Sequence, residues 1–332
     1  MTYQSQPLPG GVYVPLVTPF TPSPEEDLDL EAFKKVALRV ASAGCGLVVL
    51  GTGGEASHVT ASERIKLVSA AREFTKDAGL QTPIIAGTGT GSLYETKQLC
   101  KDAAAAGADA AIVLTPGFFA GAIAKDRTAL KEYFHDIASA SPIPVMVYNF
   151  PAVTAGIDLD SDLLEAIAEH PNIVGAKLTC GSIGKGARLA SSAAAKSHKN
   201  FHVFPGLGDM LLPSMLVGMT GTIAGSGNIF PRLLVQTYKS AQEAVQSPSK
   251  QTLSKAQELQ ALVSRADWAF MKGGIGGTKW VLRRYYDDVG EARRPLQPAT
   301  QAVQDMLEKE LRDALDWERK AEREAGVQVA RE

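Results

Sequence analysis

An amine and a phenol close two short apolar runs of this chain. Lys177 ends Asn172-Ile173-Val174-Gly175-Ala176-Lys177, and Tyr148 ends Pro144-Val145-Met146-Val147-Tyr148. Runs of this length and composition read as β-strands buried on both faces of a parallel sheet. Their carboxyl ends open on the face where α/β folds keep their chemistry. An amine held among apolar groups loses the water around its charged form, which favours the neutral one. A neutral amine near pH 7 attacks a carbonyl and forms a Schiff base. A phenol on the same face can give or take the proton that such chemistry moves. A third segment, Leu50-Gly51-Thr52-Gly53-Gly54-Glu55, ends another apolar run. Its glycines let backbone amides turn inward, and consecutive amides form a concavity suited to a small carboxylate, with the Thr52 hydroxyl beside it. Each piece alone also reads as ordinary architecture: a strand-end lysine facing solvent, a packed tyrosine bonded to backbone, a tight turn.

The elements that must position these groups alternate along the chain. Apolar runs fall at Val12-Val17, Leu47-Leu50, Pro83-Ala86, Ala111-Leu114, Pro144-Tyr148, Ile173-Lys177, His202-Phe204 and Thr222-Ala224. Helical patterns lie between them, among them Leu30-Ala43, Ala61-Ala78, Ser92-Ala106, Asp126-Ala140, Asp160-His170 and Gly184-Ser197. Thr60 with Glu63, and Ser92 with Glu95, spell capping boxes that satisfy the amides of a first turn. Eight strand–helix units predict a (β/α)8 TIM barrel. An open doubly wound sheet would want a glycine-rich dinucleotide turn after the first strand. Val17-Thr18-Pro19-Phe20-Thr21-Pro22 carries no such glycines.

After Phe230 the strand signal fades. Leu233-Ala244, Leu253-Met271, Gly277-Tyr286 and Ala299-Ala325 read as helices, the last with charges such as Glu308, Arg312 and Asp316 spaced to form a solvated face. The expected division is a barrel catalytic domain over 11–230 and a C-terminal helical region over 231–332. The chain has 332 residues, 45% hydrophobic and 21% charged, which is ordinary for a globular protein with a large core. A formal net charge of −2 gives no basic field for nucleic acid or anionic membrane. No apolar stretch is long enough to span a membrane. Met1 to Gly11 is polar and rich in Pro and Gly, and the first basic residue is Lys34, so neither a signal peptide nor a transit peptide is expected. Cys45, Cys100 and Cys180 are widely spaced and read as reduced, packing thiols in a cytoplasmic protein.

Taken in order and spacing, four motifs carry a resemblance. Gly51-Thr52-Gly53-Gly54-Glu55, Tyr148-Asn149-Phe150-Pro151, Val174-Gly175-Ala176-Lys177 and Gly221-Thr222-Ile223-Ala224 are similar to those of the dihydrodipicolinate synthase and N-acetylneuraminate lyase family of pyruvate-dependent Schiff-base aldolases. The likeness extends from Gly11 to Pro298, through Thr18-Pro19-Phe20 and Arg294-Pro295-Leu296. It implies a barrel with C-terminal helices, no cofactor, and a homo-oligomer, tetramer or dimer. It also implies that Lys177 forms the imine with a small-molecule 2-oxo acid and that Tyr148 shuttles the proton. Thr52 and the Gly53 amide would hold the carboxylate, and Gly206 and Ile223 would line the pocket.

Departures narrow the substrate. Gly53 stands where the family often has a second threonine. Phe118 and Phe119 replace a pair of tyrosines, one of which completes a proton relay in many members; phenylalanine cannot relay protons. Val153 stands where the synthase branch places an arginine that grips a second carboxylate. The pattern is more similar to fungal enzymes that cleave 2-oxo-3-deoxy sugar acids, such as L-threo-3-deoxy-hexulosonate, or to 4-hydroxy-2-oxoglutarate aldolases. Thr154, Thr179, Ser226 and Asn228 are candidates to hold substrate hydroxyls.

Other classes fit less well. His58, His135, His170, His198 and His202 form no metal-ligand spacing. Gly87-Thr88-Gly89-Thr90-Gly91 and Gly273-Gly274-Ile275-Gly276-Gly277 do not spell a dinucleotide fingerprint and read as turns. A non-catalytic 2-oxo-acid-binding relative is the remaining alternative, weighed against by Lys177 and Tyr148 occurring together.

Overall fold

The computed structural model describes residues 8–198 and 200–332. Most of the N-terminal segment read above as free of targeting signals, residues 1–7, lies outside the described residues. Eight parallel strands form the sheet: β1 Gly11–Pro15, β2 Gly46–Val49, β3 Ile84–Gly87, β4 Ala110–Leu114, β5 Val145–Asn149, β6 Ile173–Leu178, β7 His202–Pro205 and β8 Gly221–Ile223. Their hydrogen-bonded order is β7-β6-β5-β4-β3-β2-β1-β8. The two end strands meet through the Thr220 amide, which donates to Val203 O at 3.0 Å, and the Thr222 hydroxyl, which donates to Pro205 O at 3.3 Å. The ring is thus nearly closed, as the alternation predicts.

Two apolar layers follow from the period-2 alternation of strand side chains. Tyr13, Val48, Ile85, Ile112, Met146, Tyr148, Val174, Phe204 and Ile223 fill the interior. Val14, Leu47, Ile84, Val113, Val147, Ala176 and Leu178 face outward against the helices, in a layer that continues into the C-terminal helices through Val263, Phe270, Leu282 and Leu307.

One irregularity decides where Lys177 points. Val145 pairs with Ile173, but the next pair is Met146 with Gly175, so β6 carries one extra residue. Ile173 faces outward, and by regular alternation Lys177 would too. The inserted residue reverses the parity, so Ala176 and Leu178 face out and Lys177 faces in. Gly175 is required there: a Cβ would sit 2.1 Å from His202 O. A glycine inside a strand is where such irregularities are commonly found.

The helices mostly match their expected spans, with two corrections. The stretch read as Gly184-Ser197 is two helices, Ile183–Ser191 and Ala193–Ser197, because Ser192 turns to extended backbone and caps the second. Leu253-Met271 and Gly277-Tyr286 are two helices, as expected: the run Lys250–Tyr285 is broken by non-helical backbone at Gly274 (φ 61, ψ −160). Ala299-Ala325 is two helices, Gln301–Glu310 and Arg312–Glu324. Short helices at Ala120–Ile123 and Leu211–Leu216 were not anticipated. Thr60 and Glu63 form the full reciprocal cap, and the Ser92 hydroxyl accepts from the Glu95 amide at 3.2 Å.

The last helix is not merely a solvated face. Glu318 and Glu322 are wholly buried. Glu318 accepts from the amides of Arg232 and Leu233 at 3.0 and 2.9 Å, at the start of helix Pro231–Gln246. Glu322 accepts from the Tyr286 hydroxyl and the Ala330 amide, each at 2.8 Å. Cys45 and Cys100 are buried and Cys180 half-buried, all as free thiols. No helix among the described residues is long and apolar enough to cross a membrane.

Candidate active site

Tyr148 and Lys177 are register partners near the carboxyl ends of β5 and β6. Both are buried, 3% and 4% exposed, and the Lys177 Nζ lies 4.3 Å from the centre of the Tyr148 ring. The end of β5 is held by Asn149, which is wholly buried. Its amide donates to Asp158 at 2.7 Å and its carbonyl oxygen accepts from the Leu159 amide at 3.0 Å. Those bonds tie the strand end to the following loop and limit how far Tyr148 can swing.

Thr52 comes from the loop after β2. Its Oγ1 is 3.4 Å from the Tyr148 hydroxyl, a loose contact of the kind that tightens when a ligand binds. The amides of Gly54, Glu55 and Ala56 are used within this loop, donating to Gly51 O, Thr52 O and Gly51 O. Those of Thr52 and Gly53 find no acceptor among the described residues. Two adjacent unused donors beside a hydroxyl make a small anion seat.

Glu55 ends the loop in a left-handed conformation (φ 55, ψ 38). Its side chain is wholly buried, 2.7 Å from Lys279 Nζ, and accepts from the Arg293 amide at 2.8 Å. Lys279 comes from helix Lys250–Tyr285 and also donates to Glu291 O at 2.9 Å. Burial pushes the Lys279 pKa down, while Glu55 beside it pulls the other way. Arg293 pairs with Glu63 and donates to His58 O at 2.7 Å; this pairing holds the Glu63 carboxyl down at about 2. The C-terminal region therefore clamps the loop that carries Thr52.

A cavity of about 240 Å³ opens over this loop. Its polar lining is Thr52, Glu55, Ser57, His58 and Tyr148, and its apolar lining includes Leu50, Ile112, Leu114, Val153, Ile275 and Leu296. It is smaller than the roughly 300–1,000 Å³ of drug-sized pockets. No lysine or arginine lines it among the described residues. Val153 stands at its lip, 44% exposed. Lys177, Gly53, Gly206 and Ile223 are not part of this lining. Ile223 is wholly buried in the interior layer with Tyr148. Gly206 packs its α-carbon on Thr179, where a Cβ would lie 1.8 Å from Oγ1.

Of the residues read as hydroxyl contacts, three are engaged elsewhere. Thr154 donates to Phe150 O and Ile157 O. Ser226 donates to Asp267 at 2.6 Å. Asn228 accepts from the Val17 amide and donates to Pro15 O and Gly225 O. The Thr179 hydroxyl is buried with no partner among the described residues. The contributions of Lys279, Ile275 and Leu296 were missed from the sequence, because they come from a region with no strand signal.

A near-closed parallel barrel with an inward lysine and a tyrosine paired at its carboxyl mouth defines a class of proteins. The model of the Dihydrodipicolinate synthetase family matches residues 8–314, and the chain belongs to that family. It is 41% identical over 318 residues to the L-threo-3-deoxy-hexylosonate aldolase of Hypocrea jecorina, covering 94% of this chain and 98% of that one. It is 38% identical over 323 residues to an Emericella nidulans protein named "Probable 4-hydroxy-2-oxoglutarate aldolase, mitochondrial", covering 96% and 99%. Its fold is similar to that of YagE from E. coli, solved in complex with pyruvate, with a TM-score of 0.81, 27% identity, and 92% and 98% of the two chains covered.

Proposed function

We propose that this protein is a class I aldolase that cleaves a 2-oxo-3-deoxy sugar acid, such as L-threo-3-deoxy-hexulosonate, to pyruvate and a hydroxyaldehyde. The observation that carries the reading is the pairing of Lys177 and Tyr148 at one mouth, beside unused amides at Thr52 and Gly53. The relative named for this activity, 41% identical across nearly its whole length, supports the choice of substrate.

In this mechanism Lys177 Nζ adds to the 2-oxo carbon and water leaves, giving a protonated imine. Thr52 and the Gly53 amide hold the adjacent carboxylate, with Gly206 and Ile223 shaping the space around the imine. Tyr148 takes the proton of the C4 hydroxyl as the C3–C4 bond breaks. The bonding pair flows into the imine and leaves a neutral enamine, while the aldehyde departs. Protonation at C3 and hydrolysis release pyruvate and restore the amine. Acid–base help from one positioned group supplies about 10²–10⁴-fold. No cofactor or metal is needed for any step.

The cavity lining favours a neutral, hydroxyl-bearing aldehyde. Dihydrodipicolinate synthesis and 4-hydroxy-2-oxoglutarate cleavage both involve a second carboxylate, and no lysine or arginine lines this cavity among the described residues to grip one. The second reading, 4-hydroxy-2-oxoglutarate aldolase, rests on the Emericella nidulans relative.

The reading extends to a cytoplasmic homo-oligomer in sugar-acid breakdown, built as a catalytic barrel over 11–230 with a helical region after it. Phe118 and Phe119, 88% and 65% exposed at the mouth, support association with another subunit. Cell fractionation decides between cytoplasm and the mitochondria named for one relative.

Borohydride reduction with pyruvate tests the chemistry. A covalent mass gain at Lys177 is expected, and its absence would sink the aldolase reading. A panel of aldehydes supplied with pyruvate then tests the substrate. Faster reaction with glyoxylate than with hydroxyaldehydes would move the assignment to the second reading.

A further inference from the structure

We infer that His58, backed by Glu55, is the relay group that passes protons to and from Tyr148 through the Thr52 hydroxyl. The inference deepens the aldolase reading above and rests on it. It answers a gap left by the sequence, since Phe118 and Phe119 offer no exchangeable proton at the mouth.

Three observations carry it. His58, Thr52 and Tyr148 line one cavity, and the Tyr148 hydroxyl already contacts Thr52 Oγ1 at 3.4 Å. His58 Nδ1 lies 3.4 Å from Glu55 Oε2. A carboxylate accepts, so Nδ1 carries the hydrogen and Nε2 is left as the acceptor. No partner for Nε2 is found among the described residues. Glu55 is itself fixed by Lys279 and by the Arg293 amide. Its left-handed backbone, φ 55 without a glycine, is strained, and strain of this kind collects at functional sites.

Exposure singles His58 out. The titratable groups lining the cavity are Glu55, His58 and Tyr148. Glu55 is sealed in its ion pair, and Tyr148 is 3% exposed. The His58 side chain is 23% exposed, so it meets both the cavity and solvent.

The proton taken from the C4 hydroxyl by Tyr148 passes to Thr52, whose own hydroxyl proton moves on to His58 Nε2, directly or through a water. The C3–C4 electron pair rests in the enamine. The return transfer delivers a proton to C3, forms the C3–H bond, and leaves His58 neutral. Substrate becomes pyruvate and aldehyde with no net change in protons.

The test compares full-length wild type with His58→Gln, His58→Asn and His58→Ala. The readouts are cleavage kinetics, pyruvate methyl exchange in D2O by NMR, and borohydride trapping with pyruvate. Expected are kcat and methyl exchange lowered about 10- to 100-fold, KM within about threefold, undiminished trapping at Lys177, and partial recovery of His58→Ala by added imidazole. A kcat within about twofold of wild type, or a raised KM at unchanged kcat, would overturn the relay. Loss of trapping in all three variants without imidazole recovery would also overturn it, showing that His58 only supports the fold. Wild type that neither traps pyruvate nor cleaves would instead remove the aldolase reading itself.

Discussion

Lys279 and Glu55 form an ion pair of 2.7 Å with both side chains wholly sealed from solvent, joining a C-terminal helix to the loop that carries Thr52. A buried pair is weak support for stability while intact, because desolvation offsets most of the attraction, but removing one partner leaves a bare charge. Lys279→Met should therefore cost about 3–5 kcal/mol and lower activity through misplacement of Thr52. Urea denaturation with steady-state kinetics checks this. The double variant Lys279→Met with Glu55→Gln should regain much of the stability but not the activity, which would mark the pair as a positioning device.

Lys177→Ala and Lys177→Arg should abolish turnover and pyruvate trapping together. Tyr148→Phe should lower kcat by about 10²–10⁴-fold while trapping still proceeds, since the imine forms on the lysine. Trapping followed by mass spectrometry separates the two steps. Equal loss of trapping in Tyr148→Phe would assign the phenol to imine formation instead of cleavage.

Gly206→Ala should be poorly tolerated, because its Cβ would lie 1.8 Å from Thr179 Oγ1 and 2.7 Å from its Cβ. Overpacking of this kind costs about 1–3 kcal/mol, and here it would push the backbone beyond Lys177. A second change, Thr179→Ala, removes the hydroxyl and should recover part of the thermal stability. Additive losses in the double variant would show that the two residues do not interact.

Stability should depend on pH through Glu318. Burial raises its carboxyl to about 7 from the ordinary 4.5. The folded protein thus holds that proton more tightly than the unfolded chain, and the resulting stability is present below about 4.5 and lost as pH rises through about 7. The full difference is on the order of 3 kcal/mol. Asp267, raised to about 6 by burial, acts in the same direction over a lower window. His202, lowered by burial, acts oppositely, so the informative quantity is the difference between wild type and Glu318→Gln. Urea midpoints at pH 5 and pH 8 should show the wild type losing more than the variant. Parallel losses would remove Glu318 as the source.

The barrel was legible because each strand is a compact apolar run and several crossover helices begin with recognisable caps such as Thr60 and Ser92. Lys177 and Tyr148 were legible because each stands at the end of such a run. What the sequence hid was of two kinds. The outward or inward aim of Lys177 depends on a one-residue register shift at Gly175, which single-strand periodicity cannot see. The Lys279 and Glu318 contacts join segments more than eighty residues apart, and charge spacing along one helix gave no sign that those groups turn inward. Thr154, Ser226 and Asn228 were legible as polar groups near strand ends, but not as groups already satisfied by the backbone and by Asp267.

Just past the break at Gly274, Ile275 lines the cavity at the barrel mouth together with Leu296. Part of the cavity wall is thus supplied by a stretch of the chain that carries none of the bond-making groups. Variation in those helices can alter which molecules are accepted while the strands keep their reaction unchanged. Diversification within such a lineage should leave its deepest record at the periphery, in the tail and not in the ring.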